Sequence, residues 1–573
     1  MNHKTYAKAV EEIYTLFPTI KVSLKDDCIV LEGELEKWDD IVNAGFLAVE
    51  AESYGVINKI TLKGYVAPPV RISSVTDKIY DDLKCDVLII GGGVIGTAIL
   101  REFSKYKVNA VLVEKETDVA LHASGRNDGC IHVGIDLSTK SLKHHYLRKA
   151  VKVYKQLAED LGVDYKQSGQ TLAFTKKYAR LFMPFFLNLA KKRGLNGARV
   201  LNKEELHKLE PNITDEAEFA VFFPEGATIC PYNMTIALAE NAIENGGRVL
   251  LNTAVTGMSV IDHHVTSVTT NHGTIFPRVI VNAAGTYSDV IAAMADDQFF
   301  TIHPRKGIEL ILDQKAKAHS VNTSLSIYHG SGDRKAHTKG GGLIPTVDGN
   351  ILVGPTATEV SERENFVTDI ESVNMLLAKH KQTTPSLSFG DVITYFTGIR
   401  AATYEEDFIV QKGKWTNNIV HAAGIQSPGL TAAPAIAVDI VKFAQEELKT
   451  TFKANPTFNP KRKVTEPLKR LSFEERNAAI KSNPDYGQVI CRCEEVSKGE
   501  ILDALRRPLH VNTVDGVKRR VRAGMGRCQG GFCQQLVVQI IANEKKIKIE
   551  DVYKKGEGRI VLGDTKGETY GKL

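Results

Sequence analysis

Four cysteines crowd the last part of the chain, Cys491 and Cys493 as C-x-C and Cys528 and Cys533 as C-x4-C. Four thiolates can hold either Zn2+ or an iron–sulfur cluster. A zinc ribbon usually shows two C-x2-C knuckles, which this tail lacks. Cys28, Cys85, Cys130 and Cys230 are scattered singly while the other four fall within 43 residues, an uneven division that suits metal or cluster binding in a reducing compartment better than a disulfide framework. A second chemical signal is Gly91-Gly92-Gly93-Val94-Ile95-Gly96, placed directly after the apolar run CDVLII. Gly91 permits a tight turn, Gly93 lets backbone approach a pyrophosphate, and Gly96 lets a helix pack closely on the strand. The next apolar run, VNAVLV, ends at Glu114, where a carboxylate can accept hydrogen bonds from a ribose. His132 is a candidate base, because imidazole titrates near working pH. Arg305 and Lys306 are weak candidates for holding an anion, and His329 and His337 are left without a role.

The elements that must position these residues are legible in part. CDVLII reads as a strand buried on both faces, and TAILREFSKY after the glycines reads as a helix whose N-terminus presents free N–H groups to phosphate. Residues 1–66 form a separate small unit of order αββαβ. A helix over Tyr6 to Leu16 leads to a hairpin turning at Lys25-Asp26-Asp27, then a helix over Trp38 to Ser53 and a strand in VINKITLKG. The connector YVAPPVRISS separates it from a large α/β block, 80–446. A polar, Pro-punctuated stretch, 447–483, reads as a linker or extended arm, and 484–573 holds the cysteine quartet. At 573 residues several domains are expected, and 43% hydrophobic and 25% charged residues are ordinary for a globular chain. A net charge of +5 predicts no nucleic-acid partner. The absence of a long apolar run predicts no transmembrane segment, and the N-terminus lacks a signal-peptide pattern, so a cytoplasmic location is expected, with membrane contact only through a partner.

Four further segments carry a family resemblance. Ala123-Ser124-Gly125-Arg126-Asn127, Val281-Asn282-Ala283-Ala284-Gly285 with Ser288-Asp289, His303-Pro304-Arg305-Lys306-Gly307, and Gly424-Ile425-Gln426-Ser427-Pro428-Gly429-Leu430-Thr431 occur in the order seen in the FAD-dependent D-amino-acid-oxidase-like superfamily. That resemblance implies FAD as cofactor, held by Gly91, Gly93, Gly96, Glu114, Ser124, Arg126, Asn127, Val255, Ala284, Gly285, Gly424, Gly429, Leu430 and Thr431. It also implies an α/β fold, a Rossmann-type FAD-binding domain with an interleaved α+β substrate domain. In the closing turn, backbone N–H groups can face the flavin's pyrimidine edge and stabilise its anionic reduced form. The family's substrate-gripping arginine corresponds to Arg400, in Tyr395-Phe396-Thr397-Gly398-Ile399-Arg400. The tail, with RAGMGRCQGGFC, is similar to the bacterioferritin-associated ferredoxin-like [2Fe-2S] domain, which makes Cys491, Cys493, Cys528 and Cys533 the cluster ligands. Residues 1–66 resemble the BON domain, a binding or docking module.

Two branches of the superfamily compete. Arg126 to Gly134, Ser141-Leu142-Lys143 and Thr346-Val347-Asp348-Gly349-Asn350 resemble L-2-hydroxyglutarate dehydrogenases and oxidases. The cysteine tail resembles the catalytic subunit of anaerobic glycerol-3-phosphate dehydrogenase, although the lysine that membrane-type relatives carry in the closing turn is missing from IQSPGLT. The first expectation is a dehydrogenase oxidising the secondary alcohol of an anionic substrate, sn-glycerol 3-phosphate to dihydroxyacetone phosphate. Electrons would leave through the cluster to an acceptor protein such as a second flavoprotein subunit. The alternatives are a 2-hydroxy-acid enzyme, an amino-acid oxidase and a non-catalytic electron-transfer subunit. Seven Lys/Arg against the single Asp515 between Arg506 and Arg527 suggest either a solvated face or a docking face for an acidic partner.

Overall fold

The computed structural model describes residues 3–316, 321–328 and 341–561. CDVLII lies within the strand Leu83–Ile90, the centre of an eight-stranded sheet. Parallel neighbours Ala110–Val113 and Gly273–Asn282 flank it, and Ile419–Ala423 extends the sheet from more than 130 residues further along the chain. Helices Val94–Ser104, Pro231–Glu244 and Gly429–Glu447 cover one face, and the apolar strand residues pack beneath them. Continuous burial on both faces is why these strands read as unbroken apolar runs.

A second sheet of nine strands is built from segments interleaved in sequence with the first, as expected. Its spine is the antiparallel pair Ile302–Leu312 and Val392–Thr403, in which Arg305 lies opposite Arg400 and Gly307 opposite Gly398. Ile308, Leu310 and Leu312 point into a core closed by the helix Ile370–Lys381. Residues alternate across a strand, so Arg305, Gly307 and Glu309 share the opposite face. That face meets the first domain, since a side chain on Gly398 would lie 2.2 Å from the Arg126 carbonyl.

The N-terminal unit has the expected αββαβ order, with helices His3–Leu16 and Trp38–Val49 against strands Lys21–Lys25, Cys28–Leu35 and Gly55–Leu62. Asp26 and Asp27 both take positive φ, the backbone of a two-residue hairpin turn. The second helix stops at Val49 rather than Ser53 because Ala51 turns into the core and Glu52 takes a left-handed conformation. Tyr404, from the end of the substrate sheet, is buried in this unit's core against Gly45, and burial of its ring contributes about 2 kcal/mol.

The stretch 447–483 is fastened to the block before it. Arg462 is buried and donates to Glu240 at 2.7 Å and to the Leu161 carbonyl at 2.8 Å, and Phe473–Ser482 is a helix capped by Ser472. The tail folds as three helices, Lys498–Leu505, Val514–Val521 and Gln534–Lys545, around their own apolar core. Among the described residues, no helix is long and apolar enough to cross a membrane.

Candidate flavin cradle and four-thiol centre

The glycine motif forms a strand–turn–helix whose close approaches require glycine. Gly91 sits at φ +113°, and a Cβ there would fall 2.4 Å from the Ala283 carbonyl; one on Gly96 would fall 1.9 Å from the Gly91 carbonyl. Gly93 caps the helix Val94–Ser104 without a side chain, and Ser124 Oγ accepts from the Val94 N–H at 2.8 Å. The structure therefore brings Ser124 to the N-terminal end of that helix, the end whose free N–H groups suit a phosphate.

Glu114 stands over the same turn, its carboxylate accepting from the Gly92 N–H at 2.5 Å and the Glu116 N–H at 2.9 Å. Burial raises its pKa despite those bonds. Hydroxyl donors from a ribose would satisfy this carboxylate, so its chemistry fits an adenosine diphosphate moiety. Beside it, burial alone would raise the Glu116 carboxyl, but His122, Lys115 and Arg71 hold it well below the usual range. Arg71 and Lys115 already pair with the two carboxylates of the Glu116–His122–Glu364 group.

The remaining sequence-predicted residues converge from three directions. Ala283 donates to the Ile90 carbonyl, which sets Ala284 and Gly285 beside Gly91. Val255 and Ala284 pack in the cluster that also holds Val111, Val113 and Leu250. Thr431 is buried at the start of the helix Gly429–Glu447, its hydroxyl accepting from the His132 N–H at 3.2 Å and donating to the Cys130 carbonyl at 3.4 Å. Gly424 turns at φ +62°, and the Tyr154 hydroxyl donates to the Leu430 carbonyl at 3.1 Å. Asn127 folds back on Ala123 and Ser124, bonding their carbonyls at 2.9 and 3.1 Å. The Arg126 guanidinium turns away to the Leu121 and Thr397 carbonyls and lies over Phe366, which joins the two domains.

On the substrate side, His132 is half-buried with Nε2 3.4 Å from Ser427 Oγ. Arg400 donates to the Thr356 carbonyl at 3.2 Å and lies in electrostatic range of Glu309 and Asp128. Arg305 is no surface ion pair: it is buried between Glu359 and Glu406, and Glu406 also accepts from Gln426 at 2.7 Å. This chain runs from His303, paired with Glu359 at 2.7 Å, to the closing turn. Lys306 pairs with Asp369 at 3.4 Å. His329 and His337 lie outside the described residues.

Glu309 escaped the sequence reading, although an acid in the apolar strand GIELIL was the available signal. It is buried, with Oε2 lacking a hydrogen-bond partner, and burial together with Asp128 pushes its pKa well above the ordinary carboxyl value against the pull of Arg400. A raised folded pKa means the native state holds the proton longer than the unfolded chain. Stability is therefore full below pH about 4.5 and falls by about 1.4 kcal/mol per pH unit above it, until Glu309 ionises. Glu309→Gln removes that loss, so the variant's melting temperature at pH 8 exceeds the wild type's while the two converge near pH 4.5. Parallel curves across that range in thermal unfolding would show Glu309 to be ionised in the fold.

The four tail cysteines come together as free thiols. Cys493 and Cys528 are 3.6 Å apart at the surface, and Cys491 and Cys533 form a buried, hydrogen-bonded pair. The bond from Cys533 lowers the Cys491 thiol to about 6. Burial raises the Cys528 thiol, but N–H groups of Gly530, Phe532 and Gly531, with Cys493, outweigh it and leave it lowered. Gly526 passes so close to Cys493 that a Cβ would meet it at 2.3 Å. Two thiol pairs ringed by backbone donors fit a cluster carrying negative charge.

Part of the basic stretch is turned inward rather than solvated, while Arg506 and Arg527 stay exposed. Arg519 and Arg520 both bind the buried carboxylate of Asp118, and Arg522 binds Asp348 at 2.6 Å and Glu494 at 2.8 Å. These charges fasten the cysteine domain to the flavin domain and to the Thr346–Asn350 turn. Removing one partner of such a buried pair costs about 3–5 kcal/mol.

Comparison with known proteins agrees with this geometry. The family model for FAD dependent oxidoreductase (DAO) matches residues 86–442, and that for the BFD-like [2Fe-2S] binding domain matches 489–543. A glycerol 3-phosphate dehydrogenase of Caloramator mitchellensis is 36% identical, covering 84% of this chain and 99% of that protein. One subunit of the anaerobic glycerol-3-phosphate dehydrogenase of Escherichia coli K12 is 26% identical over 80% of this chain and 88% of its own. The solved L-alpha-glycerophosphate oxidase of Mycoplasma pneumoniae, with FAD bound, superposes at TM-score 0.61 and 29% identity, covering 67% of this chain and 99% of that one. The chain belongs to the FAD-dependent oxidoreductase (DAO) family, with a BFD-like [2Fe-2S] binding domain at its C-terminal end.

Proposed function

We propose that the protein is a dehydrogenase of sn-glycerol 3-phosphate that yields dihydroxyacetone phosphate. The observation that carries this reading is the likeness to a glycerol 3-phosphate dehydrogenase over 99% of that protein's length. Bound FAD would supply the two-electron acceptor within the cradle from Gly91 to Thr431, and the bound cluster a one-electron exit. Arg400 binds the phosphate and fixes the substrate's orientation, which supplies much of the rate. His132 takes the hydroxyl proton, with Ser427 Oγ holding its Nε2 edge. The sheet bearing Arg305 and Glu309 roofs the site and excludes water.

The acceptor in this reading is a partner protein such as a second flavoprotein subunit; what supports a partner subunit is the relative that is itself one subunit of an anaerobic dehydrogenase. Support for a protein acceptor is that Cys493 and the neighbouring Phe532 are exposed. The units are read as 1–66, 80–446 and 484–573 joined by the arm 447–483, the first being a BON-like docking module on the strength of its αββαβ order.

The test is flavin absorbance under anaerobic conditions with a panel of anions. Glycerol 3-phosphate bleaches the flavin band at a kcat/KM at least tenfold above that of L-2-hydroxyglutarate or any amino acid. Bleaching by L-2-hydroxyglutarate instead selects the 2-hydroxy-acid branch. Bleaching by an amino acid with release of hydrogen peroxide selects an oxidase, and no bleaching at all a non-catalytic electron-transfer role.

A further inference from the structure

A cavity of about 380 Å³ lies between the flavin-lining segment and the cysteine domain, beside Asp128, which is in electrostatic range of Arg400. Asn127 and Asp128 of the flavin-lining segment form one wall, the Thr346–Asn350 turn and Tyr395 the second, and the cysteine domain the third. Gly91, Gly93, Ser124, Gly424, His132 and Arg400 take no part in it, whereas Arg126 and Asn127, expected among the flavin contacts, do line it. We infer that this cavity binds a small organic anion of the phosphate-monoester class, a site separate from the one that carries the proposed reaction and independent of that reading.

The charges that face the cavity carry the argument. Five cations line it, Arg126, Lys518, Arg519, Arg522 and Lys555, against the three carboxylates Asp128, Asp348 and Asp515. Arg519 is neutralised by Asp118, Arg522 by Asp348 and Glu494, and Asp515 by Lys554. Among the described residues, that leaves Lys518, Lys555 and Arg126 with no carboxylate in salt-bridge reach. Arg126 spends its bonds on two carbonyls, and Lys555 lies over the face of Phe366, 5.8 Å away, with Glu116 and Asp515 in electrostatic range but not paired to it. Burial pushes the Lys518 ammonium down, and burial with the nearby Arg126 charge pushes Lys555 down to about 8. Half-buried cations with no carboxylate in contact are unfavourable, and an anion between them offsets that cost.

The shape selects the class of anion. Three cationic groups from two domains suit a dianion better than a single carboxylate. The volume lies near the lower end for small-molecule sites and exceeds what a bare inorganic ion fills. Ile229, Phe396 and Met525 give the cavity an apolar side for a carbon skeleton. Because Lys518 and Lys555 belong to the cysteine domain and Arg126 to the flavin domain, the ligand also couples the two. Met525 and Gln529 of its wall flank Cys528, so occupancy bears directly on the path between flavin and cluster.

The test is calorimetric titration of the FAD- and cluster-loaded protein with glycerol 2-phosphate and, separately, inorganic phosphate. The wild type shows a class of sites for the ester that weakens at least tenfold in Lys518→Gln/Lys555→Gln and persists in Arg400→Ala. Inorganic phosphate competes there but binds at least tenfold more weakly. The ester also raises the melting temperature of the wild type and not that of the double variant, whose cluster absorbance checks its folding. Lys555→Met alone gives a milder version of the same loss. The inference is overturned by an isotherm that the lysine changes leave unaltered, by loss of the sites in Arg400→Ala alone, or by inorganic phosphate binding as tightly as the ester.

Discussion

Replacing His132 with glutamine lowers kcat for the bleaching substrate by about 10²–10⁴, the range that a positioned acid or base contributes. The side chain follows the strand pair Cys130–Ile131, and its backbone N–H is bonded to Thr431, so the imidazole is held at the junction of the flavin-lining segment and the closing turn. Glutamine keeps the polar contact to Ser427 but cannot accept a proton. The loss therefore falls on kcat, while KM, which reports the grip of Arg400, changes by less than about threefold. Stopped-flow reduction at several pH values separates this from misfolding, because the wild type's acidic limb disappears in the variant while bound flavin stays stoichiometric. An unaltered limb with a raised KM would instead make His132 a binding residue.

How much of this was legible in the sequence depends on how local each feature is. Gly91, Gly96 and Glu114 belong to one strand–turn–helix–strand run, so spacing alone located them. The interleaving of two sheets followed from motifs in family order, and the αββαβ unit from its periodicity. A charge count of the basic stretch shows no partners: Asp118, which binds both Arg519 and Arg520, lies about 400 residues earlier. Thr346 to Asn350 was read as a sign of substrate branch, yet Asp348 there anchors Arg522 of the cysteine domain. Arg305 shows the same limit, since only the strand pairing reveals Glu359 opposite it and Glu406 beyond. Buried ion pairs are settled by tertiary packing, which single-sequence patterns do not encode.

Cys528→Ser is expected to abolish the cluster while leaving the flavin reducible. The choice of cysteine matters. Cys491 and Cys533 are part of the tail's apolar core, so changing either disturbs packing as well as ligation. Cys528 sits with exposed Cys493 at the rim, where a hydroxyl replaces the thiol without opening a core cavity. Changes to residues behind metal ligands already cost about 10–100-fold in metal affinity, so loss of a ligand exceeds the upper end of that range. Iron content and the visible absorbance of the cluster fall to background, and turnover with the partner acceptor drops about a hundredfold or more. Anaerobic bleaching by substrate continues, because the cradle from Gly91 to Thr431 shares no residue with the thiol centre. Retained turnover in a variant without iron would assign the cluster a structural task. The Asp118–Arg520 and Asp348–Arg522 pairs would then be the means by which it braces the flavin domain, and the electrons would leave by another route.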